Sequence, residues 1–200
     1  RGRRKSCHRA PSSRSVKSEN ADQPLEASAG STWPGWLAAA FLMAWQLDTM
    51  SRGLRWFDTA EFALVGAQFG LGHPPGQPLY TMILGLLARI PGLDPLLAMN
   101  GFSAVCAGLC AVPADRLIRR TCAATPRTRF VALLAVGFLF PLWDQGTRIE
   151  LYAASTLISL SIVAFGARLI DDGRLELRPW LLLGVLLGVL AGFNIIFAIG

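Results

Sequence analysis

The chain has 200 residues, of which 52% are apolar and 16% charged, with Lys+Arg 19 against Asp+Glu 13 and a net charge of +6. Soluble domains carry about 25% charged residues, whereas here the apolar residues gather in long blocks, the pattern of a chain whose solvent is lipid. An ordinary water-soluble enzyme is excluded, and any chemistry is expected in short loops at a membrane face. The chain opens on Arg1 and closes inside an apolar run, so it reads as part of a longer protein.

Residues 1–32 hold Arg1, Arg3, Arg4, Lys5, Arg9, Arg14 and Lys17 ahead of any acid and almost no large apolar side chain, which predicts a disordered basic tail. A long polar stretch ahead of the first apolar segment is unlike a signal peptide. A cytoplasmic tail meeting anionic lipid fits it better than a nucleic-acid arm, and no nucleic-acid partner is expected.

Residues 33–200 are expected to form an all-α transmembrane bundle of about five spans. The first runs from Trp33 to Met50, with Trp33 and Trp36 at the interface. The stretch Ser51 to Asp94 follows and contains a helix from Asp58 to about Phe69, with Phe62, Val65 and Phe69 on one stripe and Gly70-Leu71-Gly72 as its stop. The apolar run Leu79 to Ile90 has 12 residues where about 20 are needed to cross, and is expected to lie in the interface. The second span is Leu93 to Val112, followed by a basic loop with Asp115, Arg116, Arg119, Arg120, Arg127 and Arg129. The third is Phe130 to Trp143, the fourth Leu151 to Ile170, and the fifth Pro179 to Gly200. Cys7, Cys106, Cys110 and Cys122 form no CxxC pair and read as packing residues rather than a disulfide framework or zinc site.

Short cytoplasmic loops accumulate Lys and Arg. With Leu79 to Ile90 kept interfacial, the tail, the Arg116 to Arg129 loop and the Arg168 to Arg178 loop share one side. Asp58, Glu61, His73, Asp144, Arg148 and Glu150 then converge on the other, the extracytoplasmic side, and polar groups so placed in apolar sequence mark a functional site.

Asp58 and Glu61, three apart, are neighbours on a helix surface; they make either a capping box or a pair of catalytic carboxylates. His73 opens a proline-rich turn, His73-Pro74-Pro75-Gly76-Gln77-Pro78, stiff enough to aim an imidazole at a phosphate or a metal; otherwise it is a solvated loop histidine. Arg148, Glu150 and Tyr152 suit phosphate and sugar hydroxyls, arginine binding phosphate oxygens as a fork, and equally suit an interfacial ion pair with an aromatic anchor.

The run Asp58-Thr59-Ala60-Glu61-Phe62, then Gly70-Leu71-Gly72-His73-Pro74-Pro75-Gly76-Gln77-Pro78-Leu79-Tyr80, resembles the signature of a bacterial membrane family catalogued as a domain of unknown function, whose eukaryotic relatives are protein O-mannosyltransferases. Gly72 stands where that pattern has Ala, and Gln77 where it has an aromatic. Asn100 with Ser103-Ala104, and Arg148-Ile149-Glu150-Leu151-Tyr152, resemble two further segments, so the likeness spans about Trp33 to Gly200. The resemblance implies a GT-C type glycosyltransferase in the bacterial inner membrane. Its donor would be a polyprenyl-phosphate sugar and its acceptor a protein or glycan hydroxyl. By the same resemblance Asp58 is the general base and Glu61 orients the acceptor or a divalent cation. His73 and Arg148 would neutralise the leaving phosphate, with Gln77, Tyr80, Glu150 and Tyr152 at the substrate. A transporter or flippase subunit that binds polyprenyl phosphate without chemistry is the competing reading, and it predicts charges deep in several spans and broken helices.

Overall fold

The computed structural model describes residues 31–56, 58–73, 77–173 and 176–194. Most of the predicted tail, the Pro74-Pro75-Gly76 turn and the end of the fifth predicted span lie outside the described residues. Among the described residues the chain is all-helical. Its segments are α1 (Trp33–Thr49), α2 (Thr59–Ala67), α3 (Pro78–Leu87), α4 (Pro95–Leu109), α5 (Ala111–Thr121), α6 (Pro126–Gly137), α7 (Phe140–Gly146), α8 (Leu151–Asp171) and α9 (Leu177–Phe193).

Five of these helices, α1, α3, α4, α6 and α7, carry proline at one of their first two positions, where its missing N–H costs no hydrogen bond. Asp94 caps α4 by accepting from the Leu97 N–H at 3.0 Å, and Thr125 caps α6 through the Thr128 N–H at 3.2 Å.

Among the described residues two helices are long and apolar enough to cross a membrane, fewer than the five expected. One is α4 and α5 together, continuous through Cys110 for 27 residues from Pro95 to Thr121; the other is α8, with 21. The third expected span is interrupted: α6 ends at Gly137 and α7 starts afresh at Phe140 with Pro141 in its first turn. Helix α1, at 17 residues, reaches only about 26 Å against a hydrocarbon core of about 30 Å. Helix α9 also has 17 described residues. Asp115 to Arg120, expected in a loop, instead extend the second helix, and Arg129, expected in the same loop, is buried in α6. Of the cysteines, Cys106 and Cys110 are buried and unpaired and Cys122 is exposed and unpaired, while Cys7 lies outside the described residues.

Two apolar clusters hold the bundle. Ala38, Ala39 and Leu42 of α1 pack on Ala111 and Val112 of α5 and Leu133 of α6. Phe62, Tyr80, Leu84, Met99, Ile149, Leu151 and Phe193 join α2, α3, α4, α8 and α9. Small residues let the backbones meet: a Cβ on Gly108 would lie 2.7 Å from the Met43 backbone, so α1 and α4 touch directly there.

Helices α2 and α3 form a hairpin closed by one arginine. Helix α2 ends in a Schellman turn, with the Gly70 N–H on the Val65 carbonyl at 2.6 Å and the Phe69 N–H on the Gly66 carbonyl at 3.1 Å. The left-handed position, usually glycine, is Phe69 at φ 53°, one residue before the expected stop. Its ring lies beneath the Arg89 guanidinium at 4.0 Å. Arg89 donates to the carbonyls of Gly85 at 2.7 Å and Ala67 at 3.3 Å, capping both helices at once. These contacts offset the cost of an aromatic residue at positive φ.

Candidate functional site

The α2–α3 hairpin brings Asp58, Glu61 and His73 together. Asp58 occupies the N-cap position of α2 in a helical conformation and makes no side-chain capping bond, so no capping box forms. Glu61, three residues on, turns toward the loop: its Oε1 accepts the His73 backbone N–H at 2.6 Å, and its Oε2 meets His73 Nδ1 at 3.0 Å. The other imidazole nitrogen, Nε2, faces Asp58 Oδ2 at 4.0 Å. His73 therefore bridges two carboxylates, each partner partly open to solvent.

The electrostatics follow from that bridge. The hydrogen bond to Glu61 raises the His73 pKa; desolvation opposes the shift, and the charges of Glu61, Asp58 and Glu150 reinforce it. The bonds from His73, backbone first, lower the Glu61 pKa. Both shifts favour an imidazolium between carboxylates. Below it, the Phe62 ring lies 6.0 Å from the imidazole and meets Tyr80 edge-on at 5.2 Å, forming an apolar floor.

A second group approaches from the α7–α8 junction. Glu150 is 2% exposed, with its backbone N–H 3.4 Å from Ser103 Oγ of α4. Arg148 lies 2.9 Å from Asp144 and 3.9 Å from Glu150, so its charge is already answered by two acids. Burial pushes the Glu150 carboxyl up to about 7; Arg148 opposes the shift, and Asp58 and Asp144 reinforce it. The unfolded group titrates near 4.5, so the folded chain holds the extra proton between these values and stability falls as pH rises from about 4.5 to about 7. Glu150→Gln is expected to flatten this part of the profile of melting temperature against pH, measured in detergent. An unchanged slope would assign the pH dependence to other groups.

The remaining sequence-predicted residues divide by depth. Gln77 is 4% exposed at the start of α3, and Tyr80 is fully buried, its phenol pKa pushed well above the usual value by burial first and the Glu150 charge second. Tyr152 stands 44% exposed in the first turn of α8. The two departures from the sequence pattern are neighbours: a Cβ on Gly72 would lie 3.0 Å from Gln77 Oε1, so the glutamine fills space that an alanine at 72 would contest. Ser103, not singled out as a site residue from the sequence, ties α4 to Glu150; its sole sequence signal was its place in the Asn100-x-x-Ser103-Ala104 segment. Asp58, Glu61 and His73 also form the one group among the described residues with metal-ligating atoms so close, all within 4.8 Å of one another.

Among the described residues the chain is all-helical, with two helices long and apolar enough to cross a membrane and with two acids and a histidine gathered beside the α2–α3 hairpin, the outline of a helical membrane protein. Residues 58–197 match the family described as the protein O-mannosyl-transferase TMEM260 N-terminal domain, and the chain belongs to that family. The match begins at Asp58 itself and includes every candidate site residue; α1 precedes it. No curated protein and no solved structure gives a match.

Proposed function

We propose that the protein is an inverting GT-C type membrane glycosyltransferase that moves a sugar, mannose by its family, from a polyprenyl-phosphate donor to a protein or glycan hydroxyl. In this reading the site faces the extracytoplasmic side of a bacterial inner membrane and the N-terminus the cytoplasm. The observation that carries the proposal is the imidazole of His73 held between the carboxylates of Asp58 and Glu61 in a chain of this family.

The acceptor oxygen attacks the anomeric carbon as the bond from that carbon to the phosphate oxygen breaks. The hydroxyl proton passes to Asp58, the more exposed of the two carboxylates. Glu61 holds the imidazolium in place. The charge growing on the departing polyprenyl phosphate is met by His73, an interaction stronger in the transition state than in the bound donor. Arg148, engaged by Asp144 and Glu150, positions Glu150 beneath the cluster, and Gln77 and Tyr152 flank the substrate. Tyr80 supports them from below.

The same three side chains fit a divalent cation in number and donor type, with the reservation of both Glu61 oxygens by His73 as the contact such an ion would displace. The test is transfer of labelled mannose by the full-length protein in membranes, from a panel of polyprenyl-phosphate sugars including the organism's own, with and without chelator. Transfer is expected, and its loss on chelation would assign the phosphate-neutralising role to a cation rather than to His73. No transfer from any donor would overturn the proposal in favour of the transporter reading.

A further inference from the structure

A second polar centre lies at the opposite end of the bundle. Glu150 precedes α8 and Arg168 sits in its last turn, 18 residues further, so about 27 Å separates the two levels along the helix, close to the thickness of a bilayer core. There, Arg116, Arg119 and Arg120 of α5 and Arg168 of α8 line a cavity of about 430 Å³, together with Thr32, Ala164 and Phe165. Four guanidinium groups from two helices thus share one opening whose remaining wall is largely apolar.

Local acids answer only part of this charge. Asp115 Oδ2 pairs with Arg119 at 3.2 Å and its Oδ1 with Arg129 at 3.6 Å, Arg120 pairs with Asp171 at 3.0 Å, and Arg168 with Asp172 at 3.5 Å. Arg116 makes no ion pair among the described residues. Counting the buried Arg129, which lies outside the cavity lining and shares Asp115 with Arg119, five arginines meet three aspartates, an excess of two positive charges around the pocket. Cations near the ends of α5 and α8 also complement the helix dipoles, but that effect requires neither convergence on one cavity nor the apolar wall of Ala164 and Phe165.

We propose that this pocket binds the phosphodiester headgroup of an anionic glycerophospholipid. Arg116 and Arg168 take the phosphate oxygens, and the acyl chains leave along the apolar side of α8 by Phe165. Basic pockets between membrane helices bind such headgroups, and forked guanidinium contacts suit phosphate oxygens.

The test is calorimetric titration of the full-length protein in neutral detergent with short-chain phosphatidylglycerol, short-chain phosphatidylcholine and inorganic phosphate. Saturable binding of phosphatidylglycerol alone is expected. Arg116→Gln and Arg168→Gln are each expected to weaken it about fivefold. Both residues are exposed and neither forms an ion pair with the buried Asp115, which keeps Arg119 and Arg129, so thermal unfolding should show both variants folded. Arg127→Gln, an exposed charge outside the cavity, should leave the affinity unchanged. The proposal is overturned by equal binding of phosphatidylcholine, by comparably tight inorganic phosphate, by an equal loss in Arg127→Gln, or by wild-type affinity in the two pocket variants.

Discussion

Asp58→Asn is expected to lower sugar transfer by about 10²- to 10⁴-fold, the range that a positioned general base contributes, with membrane insertion and expression unchanged. The substitution keeps shape and removes only the charge that accepts the proton. Asp58 is about half exposed and makes no capping bond, so the helix does not depend on it. Glu61 remains to hold His73 through both the backbone and the ring. Initial rates at saturating donor, compared at equal protein in the membrane, check the prediction. A variant that retains transfer within a few-fold would move the base elsewhere, with Glu150, raised to about 7 and close enough to feel the Asp58 charge, as the next residue to replace.

Arg129→Met is expected to destabilise the fold by about 3–5 kcal/mol, the usual result of removing one partner from a buried ion pair. The Arg129 side chain is wholly buried, lies 3.6 Å from Asp115 Oδ1, and donates to the Ser31 carbonyl at 2.9 Å, tying α6, α5 and the start of α1 together. Asp115 is 1% exposed, and a Cβ on Gly35 would lie 2.8 Å from its Cβ, so neither water nor a shifted backbone can readily replace the lost cation. Arg119 would remain as the carboxylate's ion-pair partner, with the Arg116 charge nearby. Unfolding in detergent by denaturant, with the Asp115→Asn/Arg129→Met double variant alongside, separates the two contributions. The double variant should recover part of the loss, because no unpaired charge is left buried.

The sequence makes the helical class and the grouping of acids with His73 legible for different reasons. Helix positions are written locally, in prolines that can occupy a first turn and in apolar blocks with no strand-like alternation. Span count is less local. Phe130 to Trp143 is uninterrupted by charge and reads as one segment, yet Pro141 starts a separate helix inside it. Arg129 reads as a loop charge because its partner, Asp115, is 14 residues away in sequence and only the fold puts them side by side. The capping-box alternative for Asp58 and Glu61 had the right spacing. What decides against it is His73, 12 residues beyond Glu61, which takes both carboxylate oxygens. The Phe69 turn was invisible for a related reason: the sequence offers Gly70 as the natural left-handed residue, and the guanidinium that makes Phe69 acceptable arrives from the far end of the next helix.

The continuous helix from Pro95 to Thr121 carries both polar centres on one strut. Ser103 meets Glu150 near one end and Asp115 gathers its arginines near the other, 12 residues on, or about 18 Å. Their spacing is therefore set by helical rise, which evolution cannot adjust continuously. Adding one residue within this interval would rotate one centre by about 100° relative to the other and turn it out of the bundle. Length variation among relatives should accordingly be concentrated in the connections at 122–125 and 172–176, where an insertion changes neither the distance nor the phase between the two centres.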